Sequence, residues 1–156
     1  MKKILVSILV AFVSLNLFSL PNIKLSYSGE TFFTINDNNL YNPDGELAFS
    51  NINGTLYYPS GENSNQTISE TDEIIEIIDT ENGILRFSKK NGNLIYRESK
   101  YGLEKYIEYF DDESGNKLTE EKYFLDLLES VVTHVYEKGL NTKIIEKDAK
   151  GNYLSS

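Results

Sequence analysis

The 156-residue chain carries 24 Asp and Glu against 15 Lys and Arg, a formal charge of −9 that repels phosphate backbones and anionic lipid and argues against nucleic acid as a partner. The absence of cysteine excludes disulfides, thiolate metal sites and a lipid-modified cysteine. The single histidine, His134, has no companions for a metal cluster or a nucleophile–base pair, so no metal, cofactor or catalytic set is expected.

The chain opens with "MKKILVSILVAFVSLNLFSLPN", two lysines followed by an uncharged apolar run from Ile4 to Leu20. This is the pattern of a secretory signal, and Ser19 supplies the small residue before a cut. A signal peptide over 1–19 is expected, with export to the periplasm or cell envelope. The run is also near the shortest length that spans a bilayer, which leaves an uncleaved anchor as the alternative. Without Lys2 and Lys3 the remainder stands near −11.

After the leader, polar breaks with glycine punctuate the chain: "NPDGE" (42–46), "NING" (51–54), "PSGE" (59–62), "ENG" (81–83), "KNGN" (90–93), "ESGN" (113–116), "EKG" (137–139) and "AKGN" (149–152). Asn-Gly and Asp-Gly supply the positive φ of tight hairpin turns. Between the breaks lie short stretches of alternating character. In 104–110 the alternation sets Glu104, Tyr106, Glu108 and Phe110 against Lys105, Ile107 and Tyr109. In 93–99 it sets Leu94 and Tyr96 against Ile95 and Arg97. Residues 20–62 therefore read as a first segment of β-hairpins and 73–156 as a second. Between them "ENSNQTISETD" (62–72) is polar without a clear period, and 63–72 reads as a loop or linker.

The second segment repeats itself. Gly92, Gly115 and Gly139 are spaced by 23 and 24 residues, and each of the first two is followed by Asn, Leu, Glu and Tyr in that order. One stretch admits two readings: Phe124, Leu127, Leu128, Val131, Val132 and Val135 have helical spacing, which allows a short helix near 123–138. The β-branched run "SVVTHVY" and a tight turn at "LDLLE" favour strands instead. The expected fold is all-β, antiparallel hairpin repeats forming an elongated meander sheet.

Motifs that suggest chemistry dissolve on inspection. Asp111, Asp112 and Glu113 precede Gly115, but a calcium loop with glycine at its sixth position puts Phe110 at the first, where a ligand is required. A solvated turn is the better reading. Ser26, Ser28, Ser50 and Ser60 lack the strand–turn–helix context of a nucleophilic serine. Tyr96, Tyr106, Tyr109 and Tyr123 remain as candidate binding residues, an aromatic ladder whose cross-strand pairs contribute about 0.2–1 kcal/mol each. Tyrosine is also enriched at protein interfaces.

The stretch "FSKKNGNLIYRESKYGLEKYIEYFDDESGNKLTEEKYF" (87–124) resembles the repeats of bacterial MORN-type proteins, in the variant called the YwqK-type antitoxin repeat. The shared pattern is an aromatic, polar residues, Asn-Gly, Leu, Glu and Tyr, then a further turn. "LYYPSGE" (56–62) follows it too, and the match is closest over 83–124. "YFDDESGNKL" (109–118) and "EKDAKGNYL" (146–154) are similar to the YD repeats of secreted wall-associated proteins. The MORN resemblance implies a row of antiparallel hairpins without catalytic residues, serving as a protein-binding or scaffold module. The antitoxin label implies neutralisation of a partner toxin by contact. From another class, a small envelope glycan-binding protein or hydrolase competes; the absence of tryptophan counts against a sugar-binding face.

Overall fold

The structure, a computed structural model, describes residues 19–155. The expected signal peptide lies outside them except for Ser19. Fourteen strands follow one another: β1 (Ile23–Tyr27), β2 (Glu30–Asn36), β3 (Asn39–Tyr41), β4 (Leu47–Ile52), β5 (Thr55–Tyr57), β6 (Asn63–Glu70), β7 (Ile74–Asp79), β8 (Gly83–Ser88), β9 (Leu94–Tyr101), β10 (Glu104–Phe110), β11 (Lys117–Phe124), β12 (Leu127–Glu137), β13 (Leu140–Asp148) and β14 (Tyr153–Ser155). They form a single sheet in chain order, every neighbouring pair antiparallel, and no helix occurs among the described residues. The fold is the all-β hairpin meander that alternation and turn chemistry predict.

Each glycine-bearing break coincides with a strand connection, Gly83 standing as the first residue of β8. Gly92, Gly115 and Gly139 fall in the β8–β9, β10–β11 and β12–β13 turns, so one sequence repeat is two strands.

Two local expectations are corrected, and one open choice is decided for the favoured reading. Residues 63–72 are not a linker, because Asn63–Glu70 is β6, paired on both sides. Its polar surface hides a period of two: Ser64 and Ile68 point inward, and the Ser64 hydroxyl donates to the Leu56 carbonyl at 2.7 Å. The sheet is therefore continuous across the expected boundary. Leu94 and Tyr96 do not share a face. Phe87 pairs with Leu94 and Arg86 with Tyr96, so Ile95 is an extra residue that buries Leu94 and turns Tyr96 outward. The stretch 123–138 is strand, turn, strand, with no helix. Lys122 pairs with Ser130 but Tyr123 with Leu128, which leaves Glu129 unpaired. That bulge shifts the alternation by one and produces the apparent helical spacing.

The turn at Leu125–Asp126 has φ of 50° and 61°, both left-handed. Such a conformation costs an L-residue about 1–2 kcal/mol, and Asn-Gly is the pair it prefers. Leu125 is exposed and contributes no core packing. Leu125→Asn is therefore expected to raise stability by about 0.5–1 kcal/mol, read as a higher urea midpoint with unchanged slope.

The sheet has two parts of different character. Its first strands roll around a core of Leu25, Ile35, Leu40, Leu56, Ile68, Ile75, Phe87 and Leu94, reaching Phe110 on β10. The roll closes where β1 meets the β8–β9 turn. There the Ser26 N–H donates to the Gly92 carbonyl at 2.8 Å, and Ser26 forms a parallel bridge with Asn93. The Tyr27 ring meets Phe110 edge-on at 5.4 Å. Beyond Phe110 no described residue is buried, so β11–β14 form a single layer with both faces open.

Candidate functional site

Residues directly opposite in an antiparallel pair share a face, so the register defines the outer surface of β8–β12. One row runs Arg86, Tyr96, Tyr109, Thr119. The next runs Ile84, Glu98, Ile107, Glu121, Val131, and a third Lys100, Lys105, Tyr123, Leu128. Tyr96, Tyr109 and Tyr123 thus lie on one face. Tyr106 lies on the other, opposite Ser99 and Lys122. The four candidate tyrosines do not make one ladder.

The three outer tyrosines are set by their neighbours. Tyr96 and Tyr109 pack edge-to-face with centroids 5.5 Å apart. The Arg86 guanidinium sits 4.5 Å from the Tyr96 ring centre and is held there by Glu76 at 2.6 Å. The Lys105 ammonium lies 4.7 Å from the Tyr123 ring, and Lys147 the same distance from Tyr153 farther along the face. Such contacts contribute about 0.5–1 kcal/mol at exposed sites. The Tyr96 hydroxyl donates to Glu98 at 3.1 Å and the Tyr123 hydroxyl to Glu121 at 2.8 Å.

These contacts fix protonation. Burial, then the charge of Glu98, pushes the Tyr96 phenol up to about 12. The hydrogen bond to Glu121, then burial, does the same for Tyr123. Both rings remain neutral donors at physiological pH. Tyr106 repeats the device on the opposite face: its hydroxyl donates to Glu104 at 3.0 Å, and its ring meets Tyr101 at 6.2 Å.

The tyrosines stand out in the sequence, whereas Arg86, Glu98, Lys105 and Glu121 join them only in the structure. A signal for the carboxylates was available. Tyr96 and Glu98, Glu104 and Tyr106, Glu121 and Tyr123 are each two apart, the spacing that puts side chains on one face of a strand. The cations come from adjacent strands and need the register.

Two further groups singled out by the sequence, His134 and Asp111, have structural partners. His134 Nδ1 lies 2.9 Å from the Asn141 amide nitrogen on the next strand. Asp111 accepts from the Ser114 N–H and hydroxyl at 2.8 and 2.7 Å, which organises the β10–β11 turn and holds its carboxyl below the ordinary range. The outer face is a preorganised aromatic and charged surface suited to contact. Comparison of the chain with protein-family models, curated proteins and solved structures finds no match.

Proposed function

We propose that this is an exported, MORN-like hairpin-repeat protein that acts without catalysis, as a protein-binding or scaffold module, through the outer tyrosine face. The observation that carries the reading is the absence of any buried described residue after Phe110. Strands β11–β14 have no core of their own, and a single-layer sheet with two open faces offers broad area for a partner. The face supplies rigid aromatic anchors with satisfied hydroxyls, the residue type that dominates binding energy at interfaces. It also carries Arg86, Lys100, Lys105 and Lys147 against Glu76, Glu98 and Glu121, in a chain of net charge −9. The partner surface is therefore expected to be acidic around an apolar centre.

Tagged full-length protein isolated from the envelope is expected to retain a protein partner and to begin after residue 19. With the purified pair, Tyr96→Ala and Tyr109→Ala should each weaken binding by about 1–2 kcal/mol, and added salt should weaken it further. Tyr106→Ala, on the opposite face, should leave affinity unchanged. Recovery of the protein with glycan and no protein partner would reject the contact role, and a cytoplasmic form with an intact N-terminus would reject export. Should the partner be a toxin silenced in the complex, the antitoxin form of the reading follows.

A further inference from the structure

At one side of the roll lies an apolar cleft of about 230 Å³, lined by Phe32, Phe33, Phe49, Ile77 and Leu85. A bulge creates it. Leu25 pairs with Phe33 and Ser26 with Thr31, so Phe32 is an extra residue in β2 and escapes the alternation. Instead of pointing away from its inward neighbour Phe33, it packs on it at 4.6 Å and stacks on the core residue Phe87 at 6.5 Å. Even so, Phe32 stays 44% exposed. The roll thus holds a large aromatic ring at the mouth of its core without burying it.

The polar groups at the cleft have a definite sense. Asp79 accepts from the Gln66 side-chain amide at 3.1 Å, from the Asn82 side-chain amide at 3.1 Å, and from the N–H groups of Glu81 and Asn82 at 3.0 and 2.9 Å. An ionised carboxylate only accepts, so these bonds fix which end of each amide is nitrogen. One N–H of each of the Gln66 and Asn82 amides is committed to Asp79, which fixes the orientation of both amides, while their side-chain carbonyl oxygens make no hydrogen bond among the described residues. Gln66, Asp79 and Asn82 all line the cleft. Both Asp79 oxygens are occupied, and Glu98, which also lines the cleft, is engaged by the Tyr96 hydroxyl and Lys100. The free valences of the two amides are neutral, and they include two carbonyl acceptors.

We propose that this cleft binds a small neutral aromatic molecule bearing one hydrogen-bond donor, with its ring against Phe32, Phe33 and Leu85 and its N–H or O–H directed to the Gln66 or Asn82 carbonyl. The volume suits this class, since a cavity of about 150 Å³ holds one benzene ring. An apolar recess with a few oriented polar groups is the usual form of a small-molecule site. The cleft touches the outer face only at Ile84 and Glu98, and its aromatic lining does not depend on that face having a partner.

Indole and its isostere benzofuran, which lacks the N–H, are the probes. Titrated into the isotopically labelled full chain, indole should give saturable amide shifts centred on Phe32, Phe33 and Asn82 to Leu85. Benzofuran should bind at least tenfold more weakly. Leu85→Phe, which fills the cleft with apolar bulk, should abolish the shifts while thermal unfolding remains cooperative. Phe32→Ala should weaken binding without moving the shifts elsewhere. The proposal is overturned by shifts that do not saturate, by shifts that survive in the folded Leu85→Phe protein, or by equal affinity for the two probes.

Discussion

Gly92→Ala is expected to lower stability by about 3–5 kcal/mol, while Gly102→Ala costs only about 1 kcal/mol. Both glycines are left-handed, with φ of 78° and 64°, so both substitutions carry the penalty of that conformation. They differ in what a side chain would meet. A Cβ at Gly102 has no atom within 4 Å. A Cβ at Gly92 would sit 1.8 Å from the Lys24 carbonyl oxygen and 2.9 Å from its carbon. Those are backbone atoms of β1 and have no rotamer to escape into. β1 must move away, which breaks the bond from the Ser26 N–H to the Gly92 carbonyl. Opening that contact exposes Leu25, fully buried in the roll, and uncouples Tyr27 from Phe110. Urea unfolding compares the two variants directly, and amide exchange should show protection lost first in β1 and β2. Equal destabilisation by the two substitutions would mean that the closure does not hold in solution.

The repeat turns were legible because their chemistry is local. "KNGN" and "ESGN" provide the residues that left-handed turns need, and the alternation over 104–110 placed Tyr106 and Tyr109 on opposite faces correctly. β6 was not legible, because a strand whose inward positions are Ser64 and Ile68 has too little apolar contrast to show its period. Bulges at Phe32, Ile95 and Glu129 were hidden for a related reason. Each inserts one residue whose only cause is pairing with a partner strand, and a single stretch of sequence does not display its partner. The closure of the roll is further from view, since Ser26 and Gly92 carry no mutual signal and meet only after the intervening strands have twisted and curled. At the outer face the tyrosines were visible as types and the carboxylates as a two-residue spacing. Arg86 and Lys105 were not, because cation and ring belong to different strands.

Glu108→Ala is expected to cost about 2–3 kcal/mol, against less than about 1 kcal/mol for Glu120→Ala. Glu108 is only 4% exposed, on the inner face next to Phe110 where the core ends. Arg97 Nε and Lys117 Nζ both donate to it, and Lys117 also reaches Glu120 at 2.9 Å. The Arg97 guanidinium in turn lies 5.2 Å over the Tyr27 ring, which ties the cluster to the closing strand. Removing Glu108 leaves the half-buried Arg97 without its carboxylate and Lys117 held by Glu120 alone. Removing Glu120 leaves Lys117 still paired. The pH dependence follows from the direction of the shift. Burial alone would raise the Glu108 carboxyl, but the hydrogen bonds from Arg97 and Lys117 outweigh it and hold the group below its ordinary value. Its contribution is therefore fully present above the ordinary glutamate range and is lost as pH falls through the lowered folded value. The wild type should lose stability through that acid window at up to about 1.4 kcal/mol per pH unit more steeply than Glu108→Gln. A variant carrying Arg97→Met, Glu108→Leu and Lys117→Met together separates stability from specificity. Replacing a whole buried charge network by apolar residues is often neutral or stabilising. If this triple variant is as stable as the wild type but associates through the newly apolar inner face, the network serves to stop the core at Phe110 and keep the open sheet beyond it free. If it is markedly less stable and shows no association beyond that of the wild type, the network is a stabilising element and the boundary is set by packing alone.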